Sequence, residues 1–234
     1  MLVGRYASDL VQRALDMLFV QCFKAHVSTY QLATLAQVED AATIIRRSLE
    51  LAVQAVYIGR ESSEKERRKR AGRFLAFLWV KWPAQLRKAI PADERQAWDA
   101  VLQTYGAGFT PARPRWGPTF ADIFADLEEA DTAAGTPRSS YRDDYSYLSN
   151  IAHGTPPTLV HSYAQPVMPL HDARLVPRLL AIGSMYTLAC AMIWNEAYQL
   201  IDDARLAALG GRAIMLARTS RAPAGGSTDQ GTGS

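Results

Sequence analysis

Residues 141–154 read YRDDYSYLSNIAHG, a helix-length stretch that keeps reactive side chains aligned. Tyr141, Tyr145, Ser149 and His153 recur every four residues, and Arg142, Ser146, Ser149 and His153 recur at intervals of four, three and four. Residues three and four apart are neighbours on a helix surface, so one ridge carries a guanidinium, phenols, hydroxyls and an imidazole. An imidazole titrates near neutrality and can move protons, as in phosphodiester cleavage where the RNA 2′-hydroxyl attacks. Arg46 or Arg142 could then stabilise charge developing on phosphate, with Tyr145 orienting the substrate. The competing reading is a helix end. A cationic His153 there gains from the helix dipole, and Gly154 suits the left-handed position that follows a C-cap.

A second polar stripe lies in VEDAATIIRRSLELAVQAVYIGR. Its apolar residues cover most of the helix circumference, which predicts burial on several sides. Yet Thr43, Arg47, Glu50 and Gln54 form one stripe, and Arg46 stands four residues before Glu50. Charged side chains are seldom buried unless paired. Either Arg46 and Glu50 form a surface pair contributing a few tenths of a kcal/mol, or the stripe faces a polar pocket shared with Tyr145, Ser149 and His153. The second reading predicts that this helix packs beside the one ending at His153.

Other constellations carry less. The run EKERRKRAGR holds Lys65, Arg67, Arg68, Lys69, Arg70 and Arg73 near a helix start, where cations oppose the dipole. It reads as a solvated face or as an RNA-contacting patch through Arg67, Arg68 and Arg70. Trp79 and Trp82, later in the same helix, suit a core better than stacking on bases. His161 and His171 lie ten apart among prolines with no carboxylate at ligand spacing, so no metal site is expected. There is no glycine-rich phosphate loop and no nucleophile elbow, and no cofactor is expected.

The elements that must position these groups read as helices. The chain has 234 residues, 48% hydrophobic and 21% charged, with net charge +3, so its total charge names no partner. Cys22 and Cys190 sit in separate apolar segments, which suits a reducing cytoplasm and no disulfide. No basic segment followed by an apolar run opens the chain, so no export signal is expected. The uncharged run from Leu179 to Trp194 has 16 residues, short for a membrane span, and reads as a core helix.

Helical spacing predicts helices from about 8 to 35, 39 to 60 and 62 to 82, the last ended by Pro83. Another follows Pro91 and stops at Gly106. A short one is capped by Thr119, and the next begins after Ser139 or Ser140. A long helix is expected from about Asp172 to Ala208, stopped by Gly210-Gly211. Residues 155–172, with four prolines, read as an ordered loop. The expectation is a single all-α bundle of about five to seven helices over residues 1–220, with a disordered low-complexity tail at 221–234.

In order and spacing, RRSLELAVQAVYI, RPRWGPTF and YSYLSNIAHG resemble the bacterial all-helical domain-of-unknown-function family numbered 5677. That family carries an Arg-x-x-x-Glu helix, a Trp in a mid-chain loop and a Tyr-x-x-x-Ser-x-x-x-His helix end. The matching residues are Arg46 with Glu50, Trp116, and Tyr145 with Ser149 and His153. The family is in turn similar to the HEPN group of helical bundles, which includes metal-independent ribonuclease toxins and defence effectors. The HEPN signature places an Arg shortly before a helix-end His. The positions five, six and seven before His153 are Leu148, Tyr147 and Ser146, so that spacing is not met.

The resemblance implies an RNA- or nucleotide-directed effector, with His153, Arg46, Glu50 and Tyr145 as catalytic candidates. Ser149, Arg142, Arg47, Trp116, Arg67, Arg68 and Arg70 are the substrate-binding candidates. The alternative is a non-enzymatic helical module that binds a protein partner or small ligand, with the same polar residues as a structural network. The partners left open are RNA or a nucleotide, a protein, and a second copy of the chain as a homodimer; no membrane is expected.

Overall fold

Several helix starts in this chain are set by side chains that satisfy the first free N–H groups. Asp9 accepts from the Val11 N–H at 3.3 Å, and Ser63 from that of Glu66 at 3.4 Å. Thr119 and Asp122 cap reciprocally: the Thr119 hydroxyl accepts from the Asp122 N–H at 3.2 Å, and the Asp122 carboxylate accepts from the Thr119 N–H at 2.9 Å.

The computed structural model describes residues 9–35, 37–107, 109, 116–133, 141–152 and 175–219. Among them are nine helices and no strand, an all-α bundle. They are α1 (Leu10–Thr34), α2 (Val38–Gly59), α3 (Glu64–Lys81), α4 (Ala84–Lys88), α5 (Ala92–Tyr105), α6 (Phe120–Ala133), α7 (Tyr141–Ala152), α8 (Val176–Tyr198) and α9 (Asp203–Thr219). The proline-rich 155–172 stretch, Ser139, Ser140 and the 221–234 tail lie outside the described residues.

Helices α1 and α2 pack along each other, and α8 lies against both. Helix α7 rests on α2, α6 touches both α2 and α7, α3 packs on α5 and α1, and α9 on α8. Leu18, Ile45, Leu49, Ile58, Leu148, Leu179, Ile182 and Tyr186 are all buried in the shared core. Gly59 permits the close approach of α8 to α2, since a Cβ there would collide with Cγ2 of Ile193.

By length and composition α8 could cross a membrane, yet it packs against α1, α2 and α9 and buries Leu179, Ile182, Tyr186, Cys190 and Ile193. Its end is tied to α1. The Asp16 carboxylate accepts from Trp194 Nε1 at 2.8 Å and from the Tyr198 hydroxyl at 2.7 Å. Burial, and then the Asp16 carboxylate, push the Tyr198 phenol above its usual range. Cys22 and Cys190 are free and buried, and the Cys22 thiol donates to the Ser48 carbonyl at 3.7 Å.

At the indole cluster, Trp79 is 2% exposed and stacks on Trp98 at 5.5 Å and 12°. Trp82 leans on both, and Trp79 Nε1 donates to Asp99 at 2.8 Å. Trp79 and Trp98 belong to the buried core and half-buried Trp82 packs against it, in keeping with the core reading of Trp79 and Trp82.

The structure corrects the expected count of five to seven helices in two places. After Pro83 the chain makes one more turn of helix, α4, before Pro91. The expected long helix from Asp172 to Ala208 is instead two. Gln199 ends α8 in the left-handed region, at φ 50°, and its N–H donates to the Asn195 carbonyl at 2.6 Å. The Asn195 amide then clasps Ile201 both ways, donating to its carbonyl at 2.7 Å and accepting from its N–H at 2.8 Å. Asp202 restarts the helix by accepting from the Ala204 N–H at 2.9 Å. Gly210-Gly211, expected as a stop, lies inside α9. A Cβ at either position would meet nothing within 4 Å, so no packing demands glycine there.

The left-handed Gln199 costs an L-residue about 1–2 kcal/mol. Gln199→Gly removes that strain and adds unfolded-state freedom. A net gain of about 0.5–1 kcal/mol is expected in urea melts, and a loss would show that Gln199 makes a compensating contact.

Candidate functional site

Helix α2 presents Arg46 and Glu50 one turn apart on the side where α7 packs, so the two helices lie side by side as expected and the stripes meet through Arg46 and Tyr145. Arg46 Nη2 donates to the Tyr145 hydroxyl at 2.7 Å, and the guanidinium carbon stands 4.7 Å from the centre of the Tyr145 ring. On its other side Arg46 Nε faces the Glu50 carboxylate at 3.5 Å, and Arg47 Nη1 reaches the second carboxylate oxygen at 3.4 Å. One carboxylate thus sits between two guanidiniums, and the local charge is positive. The Glu50 and Arg46 side chains are 17% and 26% exposed, while Arg47 at 60% is largely solvated. Screening by water leaves the Arg47 arm little energetic weight, whereas the half-buried Arg46–Tyr145 bond holds a charge and counts for more. Gln54 closes the stripe by donating to the Glu50 backbone carbonyl at 3.0 Å.

Tyr145 is held by aromatic neighbours from α6, with Phe124 at 5.7 Å and Phe120 at 6.4 Å. Tyr141 lies parallel to Phe124 at 6.2 Å, and burial pushes its phenol above the usual range. Tyr141 is therefore a packing residue rather than part of a reactive ridge. One turn beyond Tyr145, the Ser149 hydroxyl is buried with no hydrogen-bond partner among the described residues. Arg142 is exposed. Three residues of helix place it roughly 60° around the axis from Tyr145, enough to turn it away from α2. His153 lies outside the described residues, one position past the end of α7.

A residue that the polar ridges do not single out is Asp144. It is 4% exposed, and its carboxylate accepts from the buried Tyr186 hydroxyl of α8 at 2.8 Å. The signal for it is spacing: Asp144, Leu148 and Ile151 share one face, so this acid stands on the apolar side of α7.

Two of the remaining candidates, Trp116 and Arg70, gather at the other end of α2. Arg46 and Tyr57 are eleven residues, three turns, apart on one face, roughly 16 Å along the axis. There Trp116 packs edge-on against Tyr57 at 5.9 Å and Phe74 at 5.2 Å. Arg70 lies over the Tyr57 ring at 4.0 Å and donates to the Tyr57 carbonyl at 2.7 Å. Trp116 and Arg70 thus belong together, apart from the Arg46 cluster.

Three of the six cations in the basic run are paired: Arg67 with Glu64 at 3.2 Å, Lys69 with Glu66 at 3.1 Å, and Arg70 with Glu61 at 2.5 Å. Arg68 is exposed. The pairs offset the unfavourable placing of cations in the first turns of α3. No group of three metal-ligating side chains is assembled among the described residues. His161 and His171 lie outside them.

Comparison of the chain with family models, with curated proteins and with solved structures gives no match.

Proposed function

We propose that the chain is an RNA- or nucleotide-directed effector of the HEPN-like kind, working in the cytoplasm as a metal-independent ribonuclease. The observation that carries the reading is the assembly of Arg46, Glu50 and Tyr145 from two distant helices into one half-buried cluster. It lies beside the stretch of α7 that leads to His153. In this reading His153 takes the proton of an RNA 2′-hydroxyl as its oxygen attacks the adjacent phosphorus. The bond from phosphorus to the 5′-oxygen breaks, that oxygen takes a proton from water, and a 2′,3′-cyclic phosphate remains. Arg46, oriented by Glu50, stabilises the charge growing on the phosphate oxygens, and Tyr145 positions the substrate.

A second reading, a non-enzymatic helical module that binds a protein, a small ligand or a second copy of the chain, draws on a different observation. Arg67, Lys69 and Arg70 are each held by a glutamate, which lowers the charge α3 can offer to phosphates.

Incubating the full chain with single-stranded RNA at low salt in EDTA tests the first reading. Cyclic or 3′-phosphate ends are expected. Wild-type protein that neither binds nor cuts RNA under those conditions would leave only the module.

A further inference from the structure

We propose that the hollow between α2, α3 and residues 116–118 is a binding site for a small aromatic anion, a single flat ring bearing a carboxylate or phosphate. Its cavity of about 260 Å³ is lined by Tyr57, Glu66, Lys69, Arg70, Arg73 and Trp116 among others. Sites for drug-sized ligands run to roughly 300–1,000 Å³, so this one takes one ring and one anionic group rather than a polymer.

The charge follows from which cations are spent. Lys69 is held by both oxygens of Glu66, at 3.1 and 3.3 Å. Arg70 is held by Glu61 and the Tyr57 carbonyl. Arg73 differs. Its Nε donates to the Trp116 carbonyl at 2.9 Å and its Nη1 to the Ala107 carbonyl at 3.5 Å, and no described carboxylate lies within ion-pair range. Two neutral carbonyls use part of a five-donor fork and cancel none of its charge. An arginine so fixed presents a planar edge that suits a carboxylate or phosphate.

The ring follows from the walls. Trp116 is braced edge-on by Phe74 and Tyr57, and its backbone carbonyl is pinned by Arg73, so the indole and the cation are held in one fixed relation. A preformed aromatic wall loses little entropy on binding. Tyr57 stays a neutral phenol at neutral pH, since burial raises its pKa, and does not repel an anion. The proposal does not rest on the ribonuclease reading, because this site shares no residue with the Arg46 cluster.

The test is titration of the full chain at low salt, followed by Trp fluorescence and calorimetry. Phenyl phosphate and benzoate are the probes, with inorganic phosphate as the charge-only control and phenol as the ring-only control. Phenyl phosphate or benzoate is expected to bind with a Kd of about 1 mM or tighter, and each control about tenfold more weakly. Glu66→Gln releases Lys69 on a solvated helix face and should tighten binding severalfold. Arg73→Lys keeps the charge but loses the fork, and should weaken binding about tenfold, with melting curves checking that both variants fold.

No binding of any probe at about 10 mM overturns the proposal. Equal affinity for phosphate and phenyl phosphate, the behaviour of a merely basic surface, also overturns it. So does Glu66→Gln binding no more tightly than wild type.

Discussion

His153→Ala is expected to cut RNA cleavage by about 10²–10⁴-fold, the usual worth of a general acid–base group, while the melting curve stays in place. The argument turns on what each residue of the cluster holds. Arg46 has its hydrogen bond to Tyr145 and its ion pair with Glu50 within the described residues, so two contacts that orient it do not involve the imidazole. Glu50→Gln should behave differently. It takes the carboxylate from between two guanidiniums, leaving Arg46 with weaker orientation, and should lower both activity and stability. The module reading predicts another pattern. Both variants would lose on the order of 1–3 kcal/mol in urea melts, and any binding defect would follow the unfolded fraction. A His153→Ala protein that melts early and cuts RNA at the wild-type rate would exclude His153 from catalysis.

The largest loss of stability is expected from Trp79→Ala. An indole that is 2% exposed and stacked on Trp98 leaves a cavity when removed, at a cost of about 3–5 kcal/mol. Its hydrogen bond to Asp99 goes too, although solvated Asp99 can turn to water. That is a large share of the roughly 5–15 kcal/mol that holds an ordinary domain together. Trp79→Phe keeps a ring in the stack and should cost less than half as much. A Trp79→Ala cost below about 1 kcal/mol would mean that Trp82 and Trp98 close the gap, or that the stack is not a core.

Much of the helix layout is legible because its signals are local. Thr119 before an acid three residues on, Pro83 after Trp82 and Gly106 after Tyr105 mark ends whatever the rest of the chain does. The break at Gln199 is not legible in the same way. It depends on an asparagine side chain folding forward onto Ile201, which no period or breaker residue announces. Gly210-Gly211 misleads for the converse reason: two glycines weaken a helix without preventing it when neighbouring residues such as Leu206 and Ala213 pack.

In the site, the Arg46–Glu50 pairing follows from spacing alone, and the approach of α7 follows from two polar stripes on buried helices. Trp116 and Arg70 could not be placed beside each other from spacing, because a loop far along the chain must return to α3. Arg142 shares a ridge with Ser149, yet the ridge is broader than the contact with α2, and its outer edge faces water.

The double hold of Asp16 on Trp194 and Tyr198 has a consequence for how the chain is made. Its partners lie 178 and 182 residues downstream. On a ribosome adding roughly 5–20 residues per second, α1 is complete long before the helix that ties it down has emerged. Helix α2 can pair with α1 early, since the connection between them is short. The α8 side of α1, by contrast, stays uncovered until nearly all of the described chain has been synthesised. Final closure is therefore a late event of high sequence separation, and it should set the pace of folding.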